Sequence, residues 1–199
     1  MQQAKQAQGM VQGRTRSIAF VGLSIALMAV SAWVSVPLGP VPFTLQTFVM
    51  VFVLLVLTPR QCLAALGGYL VLGAIGLPVF SSMRGGIGVL AGPTGGFLWG
   101  FLLGAVAALA FLQIVHARRQ ASAEGKAEGK DLVFDLIAGF LFLAVTYVCG
   151  WGQLMVVASL DPAAAFAIAV APFLVVDALK LVAGVLTARA VRKALPGKR

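Results

Sequence analysis

Residues 172–181 read Pro172-Phe173-Leu174-Val175-Val176-Asp177-Ala178-Leu179-Lys180-Leu181. The stretch is apolar enough for the middle of a lipid bilayer, yet it holds an acid and a base three residues apart. Residues at that spacing are neighbours on one face of a helix. An ionisable side chain at bilayer depth costs roughly 2.5–3.5 kcal/mol, so it usually faces a cavity or a partner. We therefore expect Asp177 and Lys180 to form a polar spot inside a hydrophobic pocket. The alternative is a self-neutralising ion pair that only locks a helix bundle.

The composition of the chain is that of a membrane protein. Of its 199 residues, 60% are hydrophobic and 11% are charged, and the mean hydropathy is +0.99, whereas soluble domains carry roughly 25% charged residues. The net charge of +9 could indicate nucleic acid, but the basic residues lie between apolar runs, so we predict no nucleic-acid partner. Cys62 and Cys149 lie in or beside apolar runs, which suits buried small hydrophobes better than a disulfide. Together with the single His116 they do not provide the clustered ligands of a metal site.

Six apolar runs predict an all-α, polytopic membrane protein with six transmembrane helices. About 20 residues cross a bilayer as a helix, and proline-rich or charged segments separate the runs. The predicted spans are 18–36, 43–58, 62 to 77 or 80, 97–115, 131 or 132 to about 154, and 163–188. They form one membrane domain over residues 18–189, which includes a flexible cytoplasmic linker at 116–131. Residues 1–17 are predicted to be a disordered or interfacial tail and 190–199 a basic tail, and Pro172 is predicted to kink the sixth span.

The basic residues also predict the orientation in the membrane. With six spans, the side that holds both termini carries 13 of the 15 lysines and arginines. The opposite side carries Arg84 alone, and Lys180 lies within the membrane. We therefore predict that both termini are cytoplasmic and that a pocket around Asp177 opens to the outside.

A loop dense in glycine covers residues 78–96 on the predicted outer side. Its segment Gly85-Gly86-Ile87-Gly88 lacks the preceding strand of a βαβ unit that a phosphate-binding loop requires, so we do not expect a nucleotide site. Glycine permits the backbone shapes and close contacts that a cap needs. We therefore expect the loop to close over the pocket.

Several motifs occur together and in a fixed order along most of the chain. They are Val36-Pro37-Leu38-Gly39-Pro40-Val41-Pro42-Phe43-Thr44-Leu45-Gln46-Thr47, Leu72-Gly73-Ala74-Ile75-Gly76-Leu77-Pro78-Val79-Phe80, Gly85-Gly86-Ile87-Gly88-Val89-Leu90 with Gly92-Pro93-Thr94-Gly95-Gly96, and Pro172-Phe173 with Asp177 and Lys180. In this order they resemble the BioY family, the biotin-binding S components of energy-coupling-factor (ECF) transporters. The resemblance implies six membrane helices with a vitamin pocket near the outer face.

The resemblance implies that Asp177 and Lys180 contact biotin. The ureido group of biotin offers two N–H donors and one C=O acceptor, which a carboxylate and an ammonium can match with charge-assisted hydrogen bonds. The family also supplies an asparagine from the outer loop, where this chain reads Ser82-Met83-Arg84. Arg84 is therefore expected either to contact the biotin carboxylate or, alternatively, to stabilise the loop or contact lipid headgroups.

Four further residues complete the predicted ligand site. Gly86 belongs to the capping loop. Thr44 and Gln46 lie toward the outer end of their span. Tyr147 is expected either to line the pocket or to belong to an interfacial aromatic belt.

The resemblance implies that other chains supply the energy for uptake. Family members dock through small residues of the first helix on a transmembrane coupling protein of the EcfT or BioN kind, and Gly22, Ala26 and Ala29 offer such a face. Packing within the bundle is the alternative. In the family, ATPase subunits of the EcfA or BioM kind complete the importer, and the lack of a GxxxxGK[ST] motif in this chain is consistent with that. We predict a multi-pass protein of the bacterial cytoplasmic (inner) membrane that binds biotin with high affinity and needs no cofactor, with a homo-oligomer left open.

Two other functions stay open. An S component for another vitamin or small zwitterion would show the same spans. An intramembrane aspartyl protease would need two carboxylates in the membrane, and only Asp177 is predicted to lie deep in a span. A Ser–Lys hydrolase built on Lys180 has no supporting motif. We therefore predict a binding protein and not an enzyme.

Overall fold

The computed structural model describes residues 2–37, 41–121 and 128–194, and these are mostly helical. A 3₁₀ turn at Ser81–Met83 follows the third helix. The helices and strands, in chain order, are α1 (Gln2–Trp33), β1 (Ser35–Val36), β2 (Phe43–Thr44), α2 (Gln46–Val56), α3 (Pro59–Ala74), α4 (Ile87–Ala91), α5 (Gly95–Ala121), α6 (Glu128–Ala158), α7 (Pro162–Ala169) and α8 (Leu174–Ala194).

Three helical segments are long and apolar enough to cross a membrane: Gly13–Trp33 in α1, Gly95–Gln120 in α5 and Asp131–Ala158 in α6. A fourth candidate is α7 together with α8, which are bent by 48° at the break between them. The six predicted spans therefore correspond to helical segments in the same order. In the described part of the chain, however, length and composition support three or four crossings rather than six.

Helices α2 and α3 are the two that fall short. They contain 11 and 16 residues, which at 1.5 Å per residue gives about 16 Å and 24 Å, less than the roughly 30 Å of a bilayer core. The chain before α2 is extended, because β2 pairs antiparallel with β1. A capping box between Thr58 and Gln61, with Pro59 in the first turn, then starts α3 after only two intervening residues.

The predicted ends of the membrane domain also differ from the structure. Helix α1 begins at Gln2, so residues 2–17 of the tail predicted to be disordered or interfacial are helical. Its glutamines and alanines are good helix formers, which explains the extension. The predicted linker at 116–131 is shorter, because α5 continues to Ala121 and α6 begins at Glu128; residues 122–127 lie outside the described part. Helix α8 continues to Ala194, so it includes the start of the predicted basic tail at 190–199. The rest of that tail lies outside the described part of the chain.

The predicted kink at Pro172 is confirmed as a complete break. Helix α7 ends at Ala169 and α8 begins at Leu174. Proline has no backbone N–H and its ring clashes with the preceding turn of a helix. The four residues between the helices form turns instead, so α8 starts anew, three residues before Asp177.

Helices α5 and α6 form a tightly packed hairpin. Gly96, Gly100 and Gly104 recur every fourth residue of α5, and a Cβ atom on each would lie within 2.9 Å of an α6 backbone atom. Small residues at this spacing let two helices approach closely in a membrane. The close approach places Thr146 and Tyr147 of α6 beside α5.

The glycine loop is fastened to α3. The ring of Phe80 is fully buried, and it lies where a Cβ on Gly73 would be, 2.0 Å from that position. The Gly86 N–H donates to the Gly73 carbonyl at 2.7 Å, and the Phe80 N–H donates to the Arg84 carbonyl at 2.9 Å. The loop therefore has a defined shape, with part of it against the bundle, as a cap requires.

Candidate functional site

A cavity lies among β2, the start of α2, the 3₁₀ turn, α5, α6 and α8. Its volume is about 70 Å³, several times the space that one water molecule requires. Apolar side chains form most of the wall: Val41, Pro42, Phe97, Leu98, Phe101, Leu143, Ala169 and Phe173. The polar lining residues are Thr44, Gln46, Thr47, Ser81, Thr94, Thr146, Tyr147, Asp177 and Lys180. Such a cavity suits a small, mainly apolar ligand with a few polar groups.

Asp177 lies at the polar side of this cavity and is only 6% exposed. One carboxylate oxygen accepts a hydrogen bond from the Tyr147 hydroxyl at 2.7 Å. The other accepts from the Lys180 ammonium at 2.8 Å. These two contacts hold the carboxylate in one orientation and balance its charge, as a buried carboxylate requires.

Lys180 joins the last helix to the strand before α2. Its ammonium donates to the Thr44 carbonyl at 2.7 Å and lies 6.0 Å from the centre of the Phe43 ring. That ring stacks on Phe173 at 4.2 Å between ring centres. The structure contains features of both interpretations of the Asp177–Lys180 pair. The residues form an ion pair that connects elements of the bundle, and both also line a cavity.

Thr44 and Gln46 form a second polar group beside the start of α2, next to the Thr44 carbonyl that accepts from Lys180. The Thr44 hydroxyl donates to the Gln46 side-chain oxygen at 3.3 Å, and the Gln46 side-chain nitrogen donates to the Tyr69 hydroxyl at 2.8 Å. Tyr69 is fully buried on α3 and does not line the cavity.

Of the predicted ligand-binding residues, the structure brings five together and leaves two apart. Thr44, Gln46, Tyr147, Asp177 and Lys180 line one cavity. Arg84 and Gly86 are not among its lining residues. The Arg84 side chain is exposed and donates back to the Ser81 carbonyl at 3.4 Å. The left-handed conformations of Ser82 and Met83 turn the chain at this point, which leaves Arg84 outside the cavity.

Four polar lining residues carry no individual signal in the sequence: Thr47, Ser81, Thr94 and Thr146. Ser81 and Thr94 belong to the glycine loop, where a serine or threonine is ordinary. Thr47 is one of several polar residues at the start of a predicted span. Only the three-dimensional packing shows that these hydroxyls share a cavity with Asp177.

A second buried carboxylate, Asp135, lies in α6 near the start of the Asp131–Ala158 candidate span, so it leaves the prediction that only Asp177 lies deep in a span as it stands. Asp135 is 5% exposed and pairs with Arg189 at 3.3 Å and with Arg192 of α8. It does not line the cavity. Because Asp135 and Asp177 do not share a site, the pair of carboxylates that an aspartyl protease uses is not formed by them. Among the described residues, no three His, Cys, Asp or Glu side chains are grouped as a metal site.

The predicted docking residues of α1 divide between two environments. Gly22 and Ala26 are exposed, whereas Ala29 is 5% exposed and packs in the core. A partner on this face would therefore meet Gly22 and Ala26 but not Ala29.

Comparisons with known proteins agree on one family. The BioY family model matches residues 1–197. The biotin transporter BioY of Thermotoga maritima is 37% identical over 89% of this chain and 96% of its own length. The probable biotin transporter BioY of Pyrococcus horikoshii is 33% identical over 88% of this chain and 95% of its own.

A crystal structure of the S-component for biotin from an ECF-type ABC transporter has a similar fold. Its TM-score is 0.77, with 22% sequence identity, and the match covers 92% of this chain and 93% of that one. At this identity the likeness concerns the fold, whereas the family rests on the sequence matches. From these sequence matches we conclude that the chain belongs to the BioY family.

Proposed function

We propose that this chain captures biotin with high affinity and is the substrate-binding S component of an ECF-type importer. The observation that carries the proposal is the Asp177–Lys180 pair in a cavity whose other walls are mainly apolar. Relatives that match nearly the full chain are named biotin transporters. The bicyclic ring and valeryl chain of biotin would occupy the apolar part, and the ureido group would meet the pair.

The pair has hydrogen-bonding capacity left for a ligand. An ammonium has three N–H donors, and the described contacts of Lys180 use two of them, toward Asp177 and Thr44. The carboxylate of Asp177 has about four acceptor positions, of which two accept from Lys180 and Tyr147. A ureido C=O can therefore accept from Lys180, and a ureido N–H can donate to Asp177, while the existing contacts stay in place.

The membrane arrangement belongs to the same proposal. We place the protein in the bacterial cytoplasmic membrane with six crossings and both termini inside, in which α2 and α3 are short crossings joined by the Thr58 turn. The asymmetry of the basic residues supports this orientation. In it the cavity opens outward, under the glycine loop.

The partners of an S component would be a transmembrane coupling protein and ATPase subunits. The exposed Gly22 and Ala26 of α1 would be the docking surface, because small side chains allow close helix contact in lipid.

Equilibrium binding of labelled biotin to the purified protein in lipid nanodiscs tests the proposal directly. We expect saturable binding well below micromolar concentration, with competition by unlabelled biotin and none by riboflavin or thiamin. Displacement by another vitamin, or no saturable binding below micromolar, would contradict it.

A further inference from the structure

A chain of hydrogen bonds connects the cavity with the glycine loop through Tyr69. It runs from the Thr44 hydroxyl to the Gln46 side chain, from Gln46 to the Tyr69 hydroxyl at 2.8 Å, and from Tyr69 to the Val79 carbonyl at 2.9 Å. Gln46 is 5% exposed and Tyr69 is fully buried. A buried polar group is costly when it lacks a partner, so each bond of this chain constrains the direction of the next.

The direction of each bond follows from counting protons. A phenol has one O–H donor, and the Val79 carbonyl can only accept, so the single proton of Tyr69 points to Val79. The Tyr69 oxygen is then an acceptor toward Gln46, which must present its NH₂ group to it. The amide oxygen of Gln46 is thereby turned toward Thr44. The network therefore assigns the oxygen and the nitrogen of the Gln46 side-chain amide.

One acceptor position on the Gln46 oxygen is left over. An amide oxygen accepts up to two hydrogen bonds, and the Thr44 hydroxyl supplies one. Gln46 itself lines the cavity, as do Thr44 and Asp177. A ligand with an N–H donor could therefore find an acceptor on Gln46 as well as on Asp177.

We propose that Tyr69 is a positioning residue for ligand selectivity: it holds Gln46 with its amide oxygen available to one ureido N–H of the ligand, while Asp177 accepts the other. The inference deepens the proposed function and rests on it. Tyr69 acts without touching the ligand, through the orientation of Gln46. The same hydroxyl holds the start of the glycine loop at Val79, so that the cap and the acceptor share one anchor.

Two biotin analogues, each methylated at one of the two ureido nitrogens, test the assignment. For each protein the dissociation constants of biotin and of both analogues are measured, and the ratio of analogue to biotin gives the discrimination at each nitrogen. In Tyr69→Phe we expect one ratio to fall by about fivefold, as for the loss of one oriented hydrogen bond. The other ratio, which reports the Asp177 side, should stay as in the wild type.

Two further variants separate positioning from a general loosening of the fold. Gln46→Leu removes the acceptor itself, so it should lower the same ratio, and adding Tyr69→Phe to it should lower that ratio no further. Ser31→Ala removes a different buried hydroxyl, one that bonds within its own helix, and should leave both ratios unchanged.

The outcomes distinguish this inference from the proposed function. No saturable biotin binding by the wild type would overturn both. Normal wild-type binding with both ratios unchanged in Tyr69→Phe, or with both lowered together, would overturn the role of Tyr69 alone. One ratio lowered in Tyr69→Phe and in Gln46→Leu, with the other intact, supports it.

Discussion

Asp177 and Lys180 neutralise each other, yet their contacts extend well beyond the pair. Each also bonds to a residue distant in sequence, Tyr147 for the acid and Thr44 for the base. Removing one member leaves the other charge buried without its counterion, which costs more than the pair contributes. A substitution at either residue therefore removes a ligand contact and also destabilises the ligand-free protein, because the remaining charge is buried without its counterion.

We expect Asp177→Asn and Lys180→Ala each to weaken biotin binding by at least tenfold, or about 1.4 kcal/mol. The asparagine loses one charge-assisted acceptor, and the alanine loses the donor to the ureido oxygen. Isothermal titration with purified protein in nanodiscs measures the change.

The matched control is Asp161→Asn. Asp161 is an exposed carboxylate that caps α7, and asparagine caps a helix equally well. We expect no change in affinity for this variant. If Asp177→Asn and Lys180→Ala fold and bind as the wild type does, the pair is structural and the assignment of the site is wrong.

Arg84→Ala addresses the residue that the structure leaves outside the cavity. Its exposed guanidinium bonds to its own turn, so we expect biotin affinity to change by less than about threefold, the size of a weak, solvent-exposed contact. The same titration decides the point. A tenfold loss would show that Arg84 reaches the ligand in the bound state and serves its carboxylate.

Local spacing made part of the site predictable from sequence. Asp177 and Lys180 are three residues apart in an apolar run, so their shared face follows from helix geometry alone. The contact of Tyr147 with Asp177 spans 30 residues and that of Lys180 with Thr44 spans 136. Contacts of this kind depend on how whole helices pack, so they could not be derived from spacing. The same holds for the hydrogen bond between Tyr69 and Gln46.

At the scale of helices, the α5–α6 hairpin sets the shape of the cavity wall. Gly100 lies against the backbone of Thr146, where a Cβ would be 2.8 Å from the Thr146 Cα. Thr146 and its neighbour Tyr147 both line the cavity. The spacing of two helix backbones is therefore coupled to the position of two polar lining residues.

We expect Gly100→Ala to destabilise the fold by about 1–3 kcal/mol, the usual cost of overpacking, and to weaken biotin binding as Tyr147 moves. Thermal unfolding followed by the fluorescence of a thiol-reactive dye, and biotin titration, measure the two effects. Gly152→Ala is the control on α6, since a Cβ there meets nothing within 4 Å. It should be neutral or slightly stabilising, because alanine is the better helix former. Equal effects of the two substitutions would contradict the packing argument.

The positions of most helices could be predicted from the apolar runs, and their ends could not. The break near Pro172 follows from the chemistry of proline. The start of α1 at Gln2 does not follow from hydropathy, because a polar segment with good helix formers can simply continue an apolar helix. The short length of α2 depends on the pairing of Ser35 in β1 with Thr44 in β2, which no periodicity indicates.

For the molecule as a whole, orientation in the membrane is the prediction to test first. With Ser82→Cys and Arg118→Cys made separately in a Cys149→Ser background, we expect a membrane-impermeant maleimide to label intact cells only at position 82. Both positions are exposed, and the remaining Cys62 is fully buried. Labelling at position 118 in intact cells would reverse the proposed topology.

Docking on a coupling protein can be separated from ligand capture. Ala26→Leu adds bulk to the exposed face of α1, and Ala64→Leu adds the same bulk at an exposed position of α3. We expect Ala26→Leu to lower biotin uptake by cells at least tenfold, since a bulky side chain blocks close helix contact, and to leave biotin binding by the purified protein unchanged. Uptake unaffected by Ala26→Leu, or equally reduced by Ala64→Leu, would remove α1 as the docking surface.

The break at Pro172 has an electrostatic consequence for the acid beside it. Asp177 lies in the first turn of a new helix, where the aligned peptide dipoles carry a partial positive charge worth about 0.3–1 kcal/mol to a nearby carboxylate. Were α7 and α8 one continuous rod, the same residue would sit in mid-helix, where the field of the peptide groups offers an anion nothing. A proline that interrupts this candidate span thus helps to keep a negative charge among mainly apolar side chains.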